Sequence, residues 1–67
     1  MATITANGQR FEVAEGLAMT EFIRQRGLDP AYVVVEHNGE PVARARYDQV
    51  RLADGDRLEL VRAVAGG

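Results

Sequence analysis

Residues 3–13 read Thr-Ile-Thr-Ala-Asn-Gly-Gln-Arg-Phe-Glu-Val, and this stretch decides how the fold begins. Asn7-Gly8 stands between two strand-like runs, which is the strongest short-range signal of a β-hairpin. Side chains alternate between the two faces of a strand, so residues two apart share a face. This rule places four residues in the core: Ile4, Ala6, Phe11 and Val13.

A helical pattern follows the hairpin. Met19, Phe22 and Ile23 fall at positions i, i+3 and i+4, and this apolar stripe predicts a helix packed against the core. Gly27 suits the left-handed position that ends a helix. The start is less regular, because Ala18 at the cap position has no side-chain oxygen to offer.

The second half of the chain predicts further strands. Residues 32–37 carry valines pointing to both faces, which predicts a central strand covered on one side, with apolar surface on the other. Asn38-Gly39 is a second turn signal, and Pro41 restricts the next segment to a sheet edge. Residues 44–50 are polar and predict an irregular segment with a short helical turn. Residues 57–61 alternate as a last strand whose two leucines point inward.

The element order ββαβ(β)β predicts an α+β fold of the β-grasp type. In such a fold a mixed sheet of four to five strands carries one helix across one face, and the other face stays open. A chain of 67 residues makes one domain. We expect that domain to span residues 1–63, followed by a flexible tail over residues 64–67.

Composition excludes several classes of function. Without cysteine the chain cannot form a disulfide, a zinc–thiolate site or a persulfide. The net charge is −2 and the eight basic residues, all arginines, are scattered, so we expect no nucleic-acid partner. No apolar stretch approaches the roughly 20 residues that span a bilayer, so we expect no membrane partner and place the protein in the cytoplasm.

Two segments that could suggest metal binding are interpreted as structural features instead. His37 is the only histidine and has no metal ligand at a suitable spacing, so we predict a strand residue without a catalytic role and no metal site. Asp54-Gly55-Asp56 lacks the further oxygen ligands of a calcium loop and is interpreted as a turn.

The carboxyl-terminal residues are Val64-Ala65-Gly66-Gly67. Two glycines have wide backbone freedom and little width, so they can enter a channel too narrow for other residues. This suits a carboxylate that is handed to an enzyme. A frayed end or a fragment is the alternative interpretation.

In the order and spacing of these features, the chain resembles the ThiS family, the small sulfur carriers of thiamine biosynthesis within the ubiquitin-like β-grasp proteins. The resemblance covers essentially all of the chain. The matching features are the Asn7-Gly8 hairpin, residues 14–17, residues 35–40, Arg44, the turn over residues 52–56 and Gly66-Gly67. Three positions depart from the family's usual residues: Ala18, His37 and Ala43.

The resemblance implies a carrier rather than an enzyme, with no bound cofactor. An E1-like, ThiF-like adenylyltransferase would join the Gly67 carboxyl group to AMP from ATP, while Val64, Ala65 and Gly66 present it. A sulfur donor such as a cysteine desulfurase would supply the sulfur of a thiocarboxylate. A ThiG-like thiazole synthase would then receive that sulfur.

We expect the activating enzyme to dock on the sheet face away from the helix. The candidates are Val34 and Val61 at the centre of the interface, with Arg57 and Glu59 at its rim. Other functions share the same features: the small subunit of molybdopterin synthase, a sulfur carrier for another metabolite, a ubiquitin-like protein modifier, or a plain β-grasp interaction domain.

Overall fold

The computed structural model describes residues 1–63, and the predicted tail over residues 64–67 lies outside the described residues. The described part contains five strands, one α-helix and two short 3₁₀ helices. In chain order they are β1 (Ala2–Ala6), β2 (Gln9–Val13), α1 (Met19–Gln25), a 3₁₀ turn (Pro30–Tyr32), β3 (Val33–His37), β4 (Glu40–Pro41), a 3₁₀ turn (Arg44–Arg46) and β5 (Arg57–Arg62).

The strands form one mixed sheet in the order β2-β1-β5-β3-β4. β1 and β5 are parallel, and the other neighbouring pairs are antiparallel. The predicted hairpin at Asn7-Gly8 and the predicted turn at Asn38-Gly39 are both confirmed. Asn7 and Asn38 have φ values of 51° and 53°, and each is followed by a glycine with positive φ. Two successive residues with positive φ characterise the tight hairpin turn whose twist matches that of the strands.

The core lies between the helix and one face of the sheet. The predicted stripe on α1 is fully buried there. Arg26, the residue that follows α1, covers the edge of the core: its guanidinium carbon lies 4.4 Å from the centre of the Phe11 ring. Phe11 in turn meets Phe22 edge-to-face, with 5.4 Å between ring centres. Phe11 is therefore only half-buried and forms the rim of the core.

Backbone pairing replaces the missing side-chain cap of α1. Ala18 has no side-chain cap hydrogen bond, as predicted, but it forms an isolated antiparallel bridge with Arg51. The Met19 N–H donates to the Val50 carbonyl (2.9 Å), and the Leu52 N–H donates to the Leu17 carbonyl (2.9 Å). The start of the helix is thus held by the segment that precedes β5.

The valine run forms an interior strand of the sheet, as predicted, because β3 lies between β5 and β4. The middle strand is β5, which pairs with β1 and β3. The start of the valine strand needs correction. Tyr32 belongs to the 3₁₀ turn, and β3 begins at Val33. The cause is local: Pro30 occupies the first turn of that 3₁₀ helix, and the Asp29 side chain caps it by accepting the Ala31 N–H (2.9 Å).

Candidate functional site

The sheet face opposite α1 carries no helix or strand of the described chain, and we call it the open face. Strand alternation and the pairing register place ten residues on it: Thr3, Thr5, Arg10, Glu12, Val34, Glu36, Pro41, Arg57, Glu59 and Val61. Thr3 and Thr5 are half-buried and the other eight are exposed. The four predicted partner-binding residues all lie on this face.

Register brings matching residues together across β3 and β5. Val34 lies directly opposite Val61, and Glu36 lies directly opposite Glu59. The two valines, which we call the apolar pair, are 48% and 61% exposed and are among the few large apolar side chains exposed in residues 1–63. The two glutamates form an acidic pair one step nearer the hairpin turns. Sequence reasoning selected Glu59 but missed Glu36, because only the pairing register shows that the two meet.

A groove of about 460 Å³ runs along the acidic end of the open face. Its lining includes the acidic pair, Arg57 and Thr5, and the glycines of both hairpin turns close its end: Gly8 and Gly39. A single groove therefore joins three charged side chains that come from two strands.

The turn asparagines hold β5 in its place at the centre of the sheet. The Asn7 side chain accepts the Leu60 N–H (2.7 Å) and donates to the Leu60 carbonyl (3.0 Å). The Asn38 side chain accepts the Arg57 N–H (2.8 Å). Side chains from the two hairpin turns thus hold the first residue of this strand and a residue in its interior.

His37 takes part in a partly buried hydrogen-bond network beside the same strand. Its Nε2 lies 2.9 Å from Asp56 Oδ2, which also accepts the Ala53 N–H (2.9 Å), while Asn38 Nδ2 donates to Asp56 Oδ1 (3.2 Å). Burial raises the pKa of Asp56, but hydrogen bonds from His37, the Ala53 N–H and Asn38, together with the charge of His37, outweigh burial and lower that pKa below its ordinary value. His37 is therefore a structural partner of Asp56 and faces the helix side of the sheet.

The last described residue, Ala63, lies beside the start of β3. The Ala63 N–H donates to the Tyr32 carbonyl (2.7 Å). The buried Tyr47 hydroxyl donates to the Val33 carbonyl (2.7 Å), which fixes the start of β3 next to it. A second groove, of about 330 Å³, lies here and is lined by Gly27, Leu28, Asp29, Tyr32, Val33, Arg62 and Ala63. The base of the predicted tail is thus a defined point of the fold, while Val64, Ala65, Gly66 and Gly67 lie outside the described residues.

No group of three or more histidine, aspartate or glutamate side chains in residues 1–63 is arranged to hold a metal ion. None of the helices in this part of the chain has the length and apolar character needed to cross a membrane.

Comparison with known families matches residues 2–67 to the ThiS family, a match that includes both glycines at positions 66 and 67. The chain belongs to the ThiS family. The crystal structure of a thiamine biosynthesis protein, ThiS, from Geobacter metallireducens superimposes with a TM-score of 0.81 at 35% identity, covering 97% of this chain and 99% of the other. The resemblance stated from the sequence is confirmed.

Two curated relatives are similar to this ThiS family member over shorter shares of their own length. The sulfur carrier protein ThiS of Bacillus subtilis is 42% identical over 40 residues, 60% of this chain and 61% of the relative. A thiazole synthase of Paramagnetospirillum magneticum is 33% identical over 64 residues, 96% of this chain. The chain spans only 20% of that thiazole synthase.

The fold extends beyond the ThiS family. A designed protein based on the template of human erythrocytic ubiquitin matches with a TM-score of 0.51 at 22% identity, covering 98% of this chain and 94% of that one. The ubiquitin-like β-grasp fold predicted from the element order is therefore confirmed, with five strands and one α-helix in the described residues.

Proposed function

We propose that this protein is a sulfur carrier of thiamine biosynthesis and acts through the carboxyl group of Gly67. ATP converts that carboxylate to an acyl-adenylate with release of pyrophosphate. Hydrosulfide, released from the sulfur donor's persulfide by a thiol reductant, then attacks the acyl carbon, expels AMP and leaves a thiocarboxylate. The observation that carries the proposal is the family match through residue 67, which includes the residue whose chemistry is used.

The arrangement of the described residues supports a carrier that brings no catalytic group of its own. The titratable network around Asp56 is occupied by structural hydrogen bonds, and the acidic pair lies across β3 and β5 on the open face. We therefore assign activation to a partner: an E1-like, ThiF-like adenylyltransferase that binds the ATP and docks on the open face. Val34 and Val61 are its central contacts, with Arg57 and Glu59 at the rim.

The acceptor of the sulfur is a ThiG-like thiazole synthase in this proposal. Support comes from the similarity of nearly the whole chain to a segment of a longer protein named thiazole synthase. A cysteine desulfurase is the proposed source of the sulfur, and the cytoplasm, where ATP and such enzymes meet, is the proposed location. Val64, Ala65 and Gly66 serve to present Gly67 to each enzyme in turn.

Intact-mass analysis tests this function directly. The chain is incubated with an E1-like adenylyltransferase, MgATP and a sulfide source, and we expect the mass change of one oxygen replaced by one sulfur. A variant lacking Gly67 is the matched control and should stay unmodified. If the wild-type chain gains no sulfur with adenylyltransferases of either the thiamine or the molybdopterin pathway, the carrier function is wrong.

A further inference from the structure

We propose that the acidic pair, Glu36 and Glu59, receives an arginine side chain from the protein that activates Gly67. The inference rests on the proposed function and deepens it, because it names the chemistry by which the partner recognises the open face. The pair would act as a charged subsite beside the apolar pair of the interface.

Repulsion within the acidic pair lowers the stability of the isolated domain. Glu36 and Glu59 lie directly opposite each other on antiparallel strands, and both are exposed on the same face. Like charges in this position destabilise a sheet. The ion pairs of residues 1–63 are Arg24–Glu21 and His37–Asp56. Arg57 lines the same groove, but its guanidinium group does not come within 4.0 Å of either glutamate, so the acidic pair has no ion-pair partner in this range. A cation from outside would remove the repulsion.

The surroundings favour arginine as that cation. Its planar guanidinium group can donate to two carboxylates at once, whereas lysine acts as a single point charge. Directly opposite residues have Cβ atoms about 5 Å apart, so one guanidinium group can lie between both glutamates. Val61 is two residues along β5 from Glu59, and the hydrocarbon stem of an arginine can lie on the apolar pair. The groove of about 460 Å³ leaves room for the head group.

Charge and chain direction both indicate a different protein rather than a second copy. The open face holds three carboxylates against two guanidinium groups, so a second copy would bring the same excess of negative charge. β5 runs from Glu59 of the acidic pair past Val61 and ends at Arg62, and Gly67 follows five residues later in the sequence. An enzyme that receives Gly67 must therefore lie close to this side of the domain.

The test compares Glu36→Gln and Glu59→Gln with Glu12→Gln, which removes a carboxylate from the same face but outside the groove. Binding to the adenylyltransferase that thiolates the wild-type chain is measured at several salt concentrations, beside thermal melts of the free carriers. Each groove variant should bind about tenfold more weakly, with a smaller salt dependence. Each should also melt about 2–4 °C higher, because the repulsion is gone. Glu12→Gln should bind like the wild type.

Three outcomes would overturn the proposal. Groove variants that bind within twofold of Glu12→Gln would show that no cation meets the pair. A wild-type chain that forms dimers in sedimentation experiments, which the groove variants abolish, would assign the pair to a second copy. Failure of the wild-type chain to be adenylated would reject the proposed function as well, whereas normal adenylation with unaffected groove variants would reject only the arginine subsite.

Discussion

The side chain of Asn7 forms two hydrogen bonds to the backbone of Leu60, a residue 53 positions away in the chain. The regular parallel ladder between β1 and β5 contains only two residue pairs, Thr5 with Arg57 and Ala6 with Leu58. Asn7 extends this short ladder with its amide group, which presents a donor and an acceptor like a peptide group. One residue therefore forms the first hairpin turn and also fixes the central strand.

The double role of Asn7 predicts a specific loss of stability. Asn7→Gly keeps the left-handed turn that φ of 51° requires but removes both bonds to Leu60. We expect the free energy of unfolding to fall by about 1–3 kcal/mol, since two backbone groups lose their partners. Chemical denaturation with urea measures this change.

Gly8→Ala provides the comparison for that experiment. It strains the same turn, where Gly8 has φ of 79°, but leaves the amide of Asn7 in place. A loss in Asn7→Gly of less than about 0.5 kcal/mol would contradict the role assigned to the asparagine side chain.

The lowered pKa of Asp56 predicts that the fold loses stability at low pH. Its pKa in the folded protein lies below the ordinary value of 3.8. The carboxylate therefore stabilises the fold fully above about pH 4, and this contribution is lost as the pH falls through the lower folded pKa. Asp56→Asn should be less stable at pH 7 by about 1–3 kcal/mol, because Asn offers a single oxygen to three donors.

Melting temperatures of the wild type and Asp56→Asn between pH 2 and 7 check this loss of stability. The two curves should converge toward low pH. Glu40→Gln, which removes an exposed carboxylate, should track the wild type. Curves for the wild type and Asp56→Asn that stay parallel down to pH 2 would disprove the role of Asp56.

The apolar pair predicts where docking is most sensitive to charge. Val61→Asp places a charge at the proposed centre of the interface, and an unpaired charge in a desolvated interface costs several kcal/mol. Affinity for the adenylyltransferase should fall more than a hundredfold. Val61 is 61% exposed, so the free domain should lose no more than about 1 kcal/mol, the range of strand propensities.

Gln9→Asp adds the same charge at an exposed position of β2 that lies off the open face. Its affinity for the enzyme should stay within twofold of the wild type, as measured by titration calorimetry. Equal effects of the two substitutions would mean that net charge, rather than the open face, governs binding.

The proposed chemistry at the terminal carboxylate predicts that the tail after Ala63 must have its exact number of residues. Residues 63–67 can span at most about 17 Å at roughly 3.4 Å each, which fixes how far the carboxylate reaches from Ala63. Removing Gly67 or adding one alanine shifts the carboxylate by one residue, and misplacement of about 1 Å already costs a hundredfold in rate. ATP–pyrophosphate exchange should be lost in both variants while their melting temperatures match the wild type. Exchange at the wild-type rate with the added alanine would contradict the assignment.

The elements of this fold were predictable from the sequence because their causes are local. Asn7-Gly8 and Asn38-Gly39 determine their turns through two adjacent residues, and the stripe on α1 lies within one helix. The place of β5 in the middle of the sheet was not predicted, because the alternation of its own residues does not indicate its neighbours. A strand becomes central through its pairing partners, and β5 pairs with β1, about 50 residues away.

The candidate site was predictable only in part for the same reason. Alternation along β5 selected Arg57, Glu59 and Val61 for the outer face, and that prediction is confirmed by their exposure. The meeting of Glu36 with Glu59, and of His37 with Asp56, depends on the register between segments about 20 residues apart. No local pattern encodes such a register. Alignment of the acidic pair therefore emerges only from the folded sheet.

The hydrogen bond from Ala63 to the Tyr32 carbonyl has a mechanical consequence. An enzyme that pulls on the carboxyl terminus transmits its force through Ala63 into β5, the strand flanked by β1 on one side and β3 on the other. The hydrogen bonds between β5 and its neighbours lie across the direction of that force. Several of these hydrogen bonds must therefore break together rather than one after another, and the domain resists unfolding from this end. Stretching single molecules from Gly67 would measure this resistance. A carrier that is handed from one enzyme to the next can thus be drawn in by its end without losing the surface by which it is recognised.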